Sequence, residues 1–270
     1  MLPFPQIDPS IIEIGPIKLR WYGLMYVGGF LAAYFLIQRQ PRAKRLGIQG
    51  SMLQDLFLYL AIGLVVGARL GYVLFYQFSN FGQYLQNPLE IIAIWHGGMS
   101  FHGGLVGTLL AGALFCRRRK FFFWEVADLV IVTAPIGLGL GRLGNFINGE
   151  LYGRASTVPW AMVFPGGGPM ARHPSQLYEV LLEGLLLFII LWALKDRHFK
   201  PGAMVCFFIG GYGILRFIVE FFREPDAHIG LLWGVLTMGQ ILCLAMILTA
   251  IILWALLPRR KGSLTQQPLS

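Results

Sequence analysis

The sequence predicts an all-α, polytopic membrane protein built as a bundle of seven transmembrane helices. Hydrophobic residues make up 56% of the 270 positions, whereas charged residues make up only 13%. A soluble domain carries about 25% charged residues, so this chain has too little polar surface to cover a water-soluble globule. The apolar residues form solid runs, not the alternating ten-residue segments of a membrane β-barrel.

The predicted spans are seven apolar stretches. Each approaches or exceeds the ~17–25 residues that a bilayer core of about 30 Å requires. They are Trp21–Ile37, Leu56–Phe75, Met99–Cys116, Phe121–Leu143, Leu177–Leu194, Gly202–Phe222 and Leu231–Leu257. We expect residues 1–270 to form a single integral membrane domain, with residues 145–176 as an outer loop and residues 258–270 as a flexible cytoplasmic tail.

The basic residues predict the orientation of the spans. Most of the 22 Lys and Arg residues lie on alternate loops and on the C-terminal tail, at positions 39–45, 117–120, 195–200 and 259–261. The positive-inside rule therefore places the N-terminus outside and the C-terminus in the cytoplasm. This distribution also accounts for the net charge of +9 without a nucleic-acid partner, because the basic loops would face the anionic inner leaflet.

With this orientation, the polar residues of several spans gather near the outer leaflet. Tyr26, His102, Arg142, Arg216 and Glu220 all fall toward the outer ends of their stretches. A charge at membrane depth costs about 2.5–3.5 kcal/mol, so such residues usually face a cavity or a partner. The convergence predicts a functional site on the outer side.

One segment, GRLGNFINGELYGR at residues 141–154, is unusually polar for the end of a span. Its glycines, with Gly139, match GxGxxG, but no strand precedes the motif and no acidic residue follows about 20 residues later, as a dinucleotide site requires. We interpret the glycines as points of close backbone approach. The alternative is an interfacial loop whose polar groups are satisfied within the protein.

A second motif places Tyr212, Arg216 and Glu220 at spacings of four, on one face of a helix. The alternative here is an intrahelical salt bridge that only stabilises the helix. We favour a functional interpretation, because ion pairs in lipid carry a desolvation cost that an apolar face would avoid.

Two histidines and one glycine motif have simpler interpretations beside the functional ones. His102 precedes two glycines, although a lone histidine is more often structural. His173 is expected to cap the helix that starts after Pro174. The small-xxx-small pattern of Gly63, Gly67 and Gly71 predicts close helix packing.

These motifs together resemble the bacterial prolipoprotein diacylglyceryl transferase family over nearly the whole chain. The matching strings are RWYGLMYVGGF, HGGLVG, GRLGNFINGELYGR, HPSQLYE and RFIVEFFREPD. The resemblance implies transfer of the diacylglyceryl group of phosphatidylglycerol to the lipobox cysteine of preprolipoproteins, as the first step of lipoprotein maturation. The functional residues that it implies are Tyr26, His102, Arg142, Asn145, Glu150, Gly153, Tyr212, Arg216 and Glu220.

The implied chemistry assigns roles to these residues. His102 is the best candidate for the general base that ionises the thiol, and Glu150 is the alternative. Arg142 and Arg216 suit the phosphate, because a guanidinium donates two parallel hydrogen bonds and stays charged; the sequence leaves open which of them contacts it first. Tyr26, Asn145, Gly153, Tyr212 and Glu220 complete the expected phospholipid site, and no metal or cofactor is implied.

The expected partners are phosphatidylglycerol, a preprolipoprotein signal peptide with its lipobox cysteine, and membrane lipids. The expected location is the bacterial inner membrane, with the active site toward the outer leaflet. A transporter or a non-catalytic scaffold would explain the polar cluster less well, since the polar residues lie toward one face and no internal repeat is seen. Another headgroup enzyme, such as a phospholipase, is separated only by the resemblance.

Overall fold

The computed structural model describes residues 2–5, 7–14, 17–77, 84, 86–225, 231–232 and 235–257. The described chain is mostly helical, as predicted. The helices are α1 (Trp21–Gln38), α2 (Pro41–Leu46), α3 (Ser51–Tyr76), α4 (Phe101–Arg119), α5 (Phe123–Ile131), α6 (Ala134–Ile147), α7 (Ser175–Leu194), α8 (Ala203–Val219) and α9 (Met238–Leu256). The predicted flexible tail, residues 258–270, lies outside the described residues.

Two short hairpins were not predicted. Strand β1 (Ser10–Ile14) pairs antiparallel with β2 (Ile17–Arg20), which leads directly into α1. Strand β3 (Leu231–Leu232) pairs antiparallel with β4 (Leu236–Thr237) just before α9. Isoleucine-rich segments such as SIIEI favour extended backbone, because branching at Cβ restricts the side chain in a helix.

Within the described residues, α1, α3, α7 and α9 are long and apolar enough to cross a membrane. Helices α5 and α6 would form a fifth span if they cross as one, although they are bent by 41°. The predicted unbroken stretch Phe121–Leu143 is therefore wrong in two respects: it breaks after Ile131 and it continues to Ile147. Pro135 lies in the first turn of α6, where its missing N–H is tolerated, and it cannot continue the hydrogen bonding of α5.

The last predicted stretch also starts too early. Helix α9 begins at Met238, not at Leu231, because Thr237 ends the hairpin and caps the helix. The Thr237 hydroxyl accepts the Gln240 backbone N–H at 3.1 Å, and Gln240 Oε1 accepts the Thr237 N–H at 3.0 Å. This reciprocal capping satisfies two backbone donors that the first turn would otherwise leave unpaired.

The chain divides into two compact units: residues 40–127, and residues 1–39 with 128–270. In the first of these, α3 and α4 pack along a seam of glycines. A Cβ atom added to Gly71 would lie 2.7 Å from the Cα of Gly103, and one added to Gly67 would lie equally close to the Cα of Gly107. The small-xxx-small prediction is confirmed, because the seam has no room for a side chain.

In the other unit, α6 lies against both α1 and α7 at glycine contacts. A Cβ on Gly184 of α7 would lie 2.8 Å from the Cα of Gly139. A Cβ on Gly29 of α1 would lie 3.1 Å from the Cα of Gly137. These close approaches bring the polar residues that follow Gly139 next to the start of α7.

The start of α8 is fixed by a buried carboxylate. Asp128 is 1% exposed, and its oxygens accept the backbone N–H groups of Gly202 and Met204 at 2.9 Å each. A negative charge is stabilised at a helix N-terminus, where the N–H groups have no partner within the helix. This contact anchors the helix that carries Tyr212 and Arg216.

Candidate active site

The centre of the candidate site is Glu179, near the start of α7. This side chain is fully buried, and its Oε2 atom forms an ion pair with Arg142 Nε of α6. The glycine contact between Gly139 and Gly184 explains the pairing, because it brings the two helices close enough for side chains near it to meet. Arg142 therefore has a carboxylate partner.

Arg216 joins α8 to the same carboxylate. Its Nη1 atom lies 3.1 Å from Glu179 Oε1 and 3.5 Å from Glu183 Oε1, and its Nη2 atom lies 3.0 Å from Glu220 Oε2. The Arg216–Glu220 contact confirms the predicted i,i+4 relationship on one helical face. The Arg216 side chain is 12% exposed, so these contacts operate away from bulk water.

A third guanidinium reaches the cluster from the chain that follows α8. Arg223 Nη1 lies 3.6 Å from Glu179 Oε1. Three arginines, Arg142, Arg216 and Arg223, thus surround one carboxylate. We call these residues, with Glu179, Glu183 and Glu220, the ion cluster.

Tyr212 lies one turn before Arg216 on α8, as predicted. It interacts electrostatically with both Glu183 and Arg216. Tyr212 therefore lies close to the ion cluster, which agrees with the predicted shared face.

Glu220 is the carboxylate of the cluster that is tied most firmly to the scaffold. Its Oε1 atom accepts the Thr237 hydroxyl at 3.2 Å, and a Cβ on Gly239 would lie 2.5 Å from the same oxygen. The end of α8 and the start of α9 therefore fix Glu220, which in turn orients Arg216.

The polar loop after α6 forms a second group around Glu150. Glu150 Oε1 accepts the side-chain amides of Asn145 at 2.9 Å and Asn148 at 3.1 Å. The backbone carbonyl of Glu150 accepts Gln176 Nε2 at 2.6 Å, which ties this loop to the start of α7. Two predicted site residues, Asn145 and Glu150, are thus hydrogen-bonded to each other.

Gly153 lies where three backbone segments cross. Its N–H donates to the His173 carbonyl at 2.8 Å, and a Cβ would lie 2.8 Å from the Cβ of His173 and would collide with the Phe222 carbonyl. The backbone of Gly153 also forms an isolated antiparallel β-bridge with that of Arg223. A larger residue here would displace the segment that carries Arg223.

His173 does not cap α7 as the sequence analysis expected. The cap position is Pro174, which makes no side-chain cap bond, and His173 Nδ1 lies 2.9 Å from the Tyr178 hydroxyl. Burial lowers the pKa of His173, because the charged imidazolium loses hydration. The ring packs edge-on against Tyr178 and Phe222, as part of an aromatic support beside the site.

Tyr26 lies on α1 and is 48% exposed. Its hydroxyl is 3.1 Å from that of Tyr22, a residue that the sequence analysis did not select. Tyr22 packs on Gly144 of α6 and interacts electrostatically with Glu150 and Arg142. Tyr22 therefore connects Tyr26 to the predicted site residues of α6 and the loop that follows it.

His102 belongs to the other compact unit, in the first turn of α4, and it is exposed. Ser100 caps this helix by accepting the Gly103 N–H at 3.1 Å, and the Ser100 N–H donates to the Ala68 carbonyl at 2.8 Å. These bonds fix the backbone that carries His102 within its own unit.

The structure thus gathers Arg142, Tyr212, Arg216 and Glu220 at the ion cluster and pairs Asn145 with Glu150 nearby. Glu179, Glu183 and Arg223 were not among the predicted site residues. One signal was available, because Glu179 and Glu183 are two carboxylates four residues apart in an otherwise apolar helix.

An open cavity of about 380 Å³ adjoins this region. Its lining includes Glu150, Tyr152, Arg223 and Glu224. Arg223 therefore contacts the ion cluster and also lines an open cavity.

The sequence matches the model of the Prolipoprotein diacylglyceryl transferase family over residues 9–256. It is 52% identical over 258 residues to the phosphatidylglycerol–prolipoprotein diacylglyceryl transferase of Geobacter sulfurreducens, covering 96% of this chain and 98% of that protein. The enzyme of the same name from Desulfotalea psychrophila is 51% identical over 256 residues, covering 93% of each chain. That from Rhodospirillum rubrum is 52% identical over 265 residues, covering 96% of each.

Proposed function

Because the chain belongs to the prolipoprotein diacylglyceryl transferase family, we propose that it transfers the diacylglyceryl group of phosphatidylglycerol to the lipobox cysteine of preprolipoproteins. This transfer is the first step of lipoprotein maturation. A carbon–sulfur bond forms at the glyceryl carbon, the bond from that carbon to the phosphate oxygen breaks, and glycerol phosphate leaves. The observation that carries the proposal is the set of three mostly buried arginines around the buried carboxylate of Glu179.

The arginines stabilise charge that develops during the reaction. The donor phosphodiester carries one negative charge, and the departing phosphomonoester gains a second as the carbon–oxygen bond breaks. Arg142 and Arg216, whose side chains are 25% and 12% exposed, would meet that charge in a poorly hydrated site. Preorganised cations are most effective where charge appears only in the transition state.

The attacking thiol must lose its proton. A cysteine thiol has an ordinary pKa of about 8.5, and apolar surroundings raise it, so a base is needed at neutral pH. We assign this role to His102, with Glu150 as the alternative. Glu150 is already engaged by Asn145 and Asn148, which suits a role in binding headgroup hydroxyls.

The remaining predicted residues complete the phospholipid site. Tyr26, Asn145 and Tyr212 offer polar groups for the headgroup and ester oxygens. Glu220 orients Arg216, and Gly153 permits the backbone crossing that places Arg223. Holding donor and thiol in a reactive geometry would supply much of the remaining rate enhancement.

The proposed topology has seven spans, with the N-terminus outside, the C-terminus in the cytoplasm and the active site toward the outer leaflet of the inner membrane. The helices long enough to cross support the membrane location, and the alternation of basic loops supports the orientation. In the variant Ser156→Cys, an impermeant thiol reagent should label the cysteine from the outer side. Labelling only from the cytoplasmic side would reverse the topology.

The central test uses purified enzyme, phosphatidylglycerol and a lipobox peptide, with mass spectrometry to detect a diacylglyceryl thioether. The matched control is a peptide with serine in place of the lipobox cysteine, which should give no product. Equal turnover with a zwitterionic phospholipid would show that the donor assignment is wrong. Release of free diacylglycerol without any thioether would identify a phospholipase.

A further inference from the structure

We propose that the Glu179 carboxylate occupies the binding site of the donor phosphate in the absence of substrate. It pairs there with the guanidinium groups of Arg142 and Arg216 until the phospholipid binds and displaces the carboxylate toward Arg223. This inference rests on the proposed function and adds a positioning residue that controls access to the anion site. Its basis is one buried carboxylate in contact with three arginines from three different segments.

The geometry of Glu179 matches that of an anion in a two-arginine site. One carboxylate oxygen contacts Arg142 Nε, and the other lies 3.1 Å from Arg216 Nη1. A phosphate that binds both guanidinium groups would use the same donor atoms. Glu179 and the donor phosphate therefore compete for the same place.

Formal charges support the competition. The ion cluster contains three arginines and three glutamates, so with every group ionised it has no net charge. A cluster without net charge attracts an anion only weakly from a distance. The phosphate gains full contact with the guanidinium groups only if a carboxylate moves away from them.

The contacts of the three glutamates show which one can move. Glu220 is held by the Thr237 hydroxyl and packs on Gly239. Among the described residues, Glu183 contacts one arginine, Arg216, at 3.5 Å. Within the described part of the chain, only Glu179 contacts both Arg142 and Arg216, so its displacement would free both together.

The bonds that hold Glu179 are also incomplete. Both of its carboxylate oxygens and Arg216 Nη1 are buried, and among the described residues none of these three atoms makes a hydrogen bond of normal geometry. Charged groups that are buried with imperfect hydrogen bonding gain less from each other than well-aligned pairs do. Exchanging such a partner for a phosphate costs correspondingly little.

Arg223 provides the place to which Glu179 moves. Its Nη1 atom already lies 3.6 Å from Glu179 Oε1, so a small rotation would shorten this contact. Its backbone is fixed, because Arg154 Nε donates to the Arg223 carbonyl at 2.8 Å. Glu179 would thus keep a cationic partner throughout, and the displacement would leave no buried carboxylate unpaired.

The test measures phosphate affinity without turnover. Glycerol 1-phosphate is titrated into the full-length enzyme in lipid nanodiscs, for the native chain and for Glu179→Gln. Glu179→Gln should bind glycerol 1-phosphate about tenfold more tightly. In the native chain the Glu179 carboxylate occupies the anion site in most molecules, and the apparent affinity is reduced in proportion to the fraction of molecules whose site is free. The KM for phosphatidylglycerol should fall in parallel. Unchanged or weaker binding would overturn the inference, since a purely structural anchor would loosen the arginines when removed.

Two further variants separate displacement from a general change in charge. Glu183→Gln removes a negative charge that lies 3.5 Å from Arg216 and forms no ion pair with Arg142 among the described residues, so it should tighten binding by less than about threefold. An effect equal to that of Glu179→Gln would contradict the specific role of Glu179. Asp55→Asn, which removes another carboxylate paired with an arginine, should leave the affinity unchanged.

The inference can still be tested if Glu179→Gln does not fold. If Glu179→Gln fails to insert, Glu179→Asp keeps the charge but shortens the side chain, so it should compete less well and also tighten binding. Binding weaker than that of the native chain in Glu179→Asp would again count against the inference. Failure of the native enzyme to form any thioether would instead overturn the proposed function, which keeps the two outcomes separate.

Discussion

Arg69 is buried and Arg216 is mostly buried, and the guanidinium groups of the two residues have different kinds of partner. Arg69 is 5% exposed, and it donates to the backbone carbonyls of Glu90, Ile91, Gly97 and Gly98 at 2.5–3.0 Å. Arg216 is bound by the carboxylates of Glu179, Glu183 and Glu220. One guanidinium is held by the main chain, and the other by charged side chains that can rotate.

The difference shows which arginine can take part in a reaction. Carbonyl oxygens belong to the fold, so the bonds of Arg69 are lost only if the segment 90–98 moves. Carboxylates are anions, and another anion such as a phosphate can take their place at little electrostatic cost. Burial of an arginine therefore indicates function only when its partners are exchangeable.

The largest effect is expected for His102, which lies in the same compact unit as Arg69 and to which we assign the role of general base. His102→Gln should lower turnover by about 10²–10⁴-fold, because the thiol loses its general base. The loss should shrink as the pH rises toward the ionisation of the thiol itself. Rates of thioether formation across a pH series check this.

The matched control is His198→Gln, which replaces an exposed histidine outside the proposed site and should leave the rate unchanged. Near-normal activity of His102→Gln at neutral pH would show that His102 is not the general base. The role of base would then pass to Glu150.

The next effect concerns the exchangeable arginines. Arg142→Lys and Arg216→Lys should each lower kcat by about 10²–10³-fold, because a lysine keeps the charge but loses the planar group that grips two phosphate oxygens. Membrane-inserted yield should remain near normal. Turnover and yield are measured together, with Arg119→Lys at the exposed pair with Asp55 as the control.

Two other results would change the interpretation of these arginines. Rescue of most activity by lysine would mean that they supply only positive charge. A loss of yield without a loss of turnover per inserted molecule would make them structural, like Arg69.

For Arg69 the opposite pattern is expected. Arg69→Lys should destabilise the protein by about 2 kcal/mol, because a lysine cannot reach all the carbonyls that the guanidinium satisfies. Affinity for glycerol 1-phosphate should stay within about twofold of the native value. Thermal unfolding in detergent and anion titration measure the two quantities, and weaker binding at unchanged stability would erase the distinction from Arg216.

Sequence patterns predicted the features that depend on one helix at a time. The spacing of Tyr212, Arg216 and Glu220 gave their shared face, and the glycines of α3 gave the close packing with α4. Both follow from helical periodicity alone. The break before α6 was also signalled, by Pro135 within an apolar run, although the stretch was predicted as continuous.

Features that depend on the packing of two helices were not predictable in this way. The pairing of Arg142 with Glu179 requires the backbone contact between Gly139 and Gly184, which are far apart in sequence. The hairpin before α9 was not predicted, because its apolar residues lead into the helix without a change in composition. In both cases tertiary contacts decide the outcome, and local pattern does not contain them.

The smallest effect is expected at Thr237, which supports Glu220 and so acts on Arg216 only indirectly. Thr237 accepts the Gln240 N–H and donates to Glu220, so Thr237→Val removes a helix cap and one support of a carboxylate. Loss of such a cap costs about 1 kcal/mol. Turnover should fall by less than about threefold, because Arg216 keeps its contacts with Glu179 and Glu183.

Thr237→Ser, which retains the hydroxyl, should restore both stability and rate. Valine matches threonine in shape, so the difference between Thr237→Val and the native chain reports on the hydroxyl, and Thr237→Ser shows whether the methyl group contributes. If Thr237→Val instead reduced turnover as much as Arg216→Lys, then Glu220 would have to hold Arg216 in one fixed position for catalysis. The contacts of Arg216 with Glu179 and Glu183 would in that case be insufficient to orient it, and the exchange at Glu179 would need a rigid Glu220 beside it.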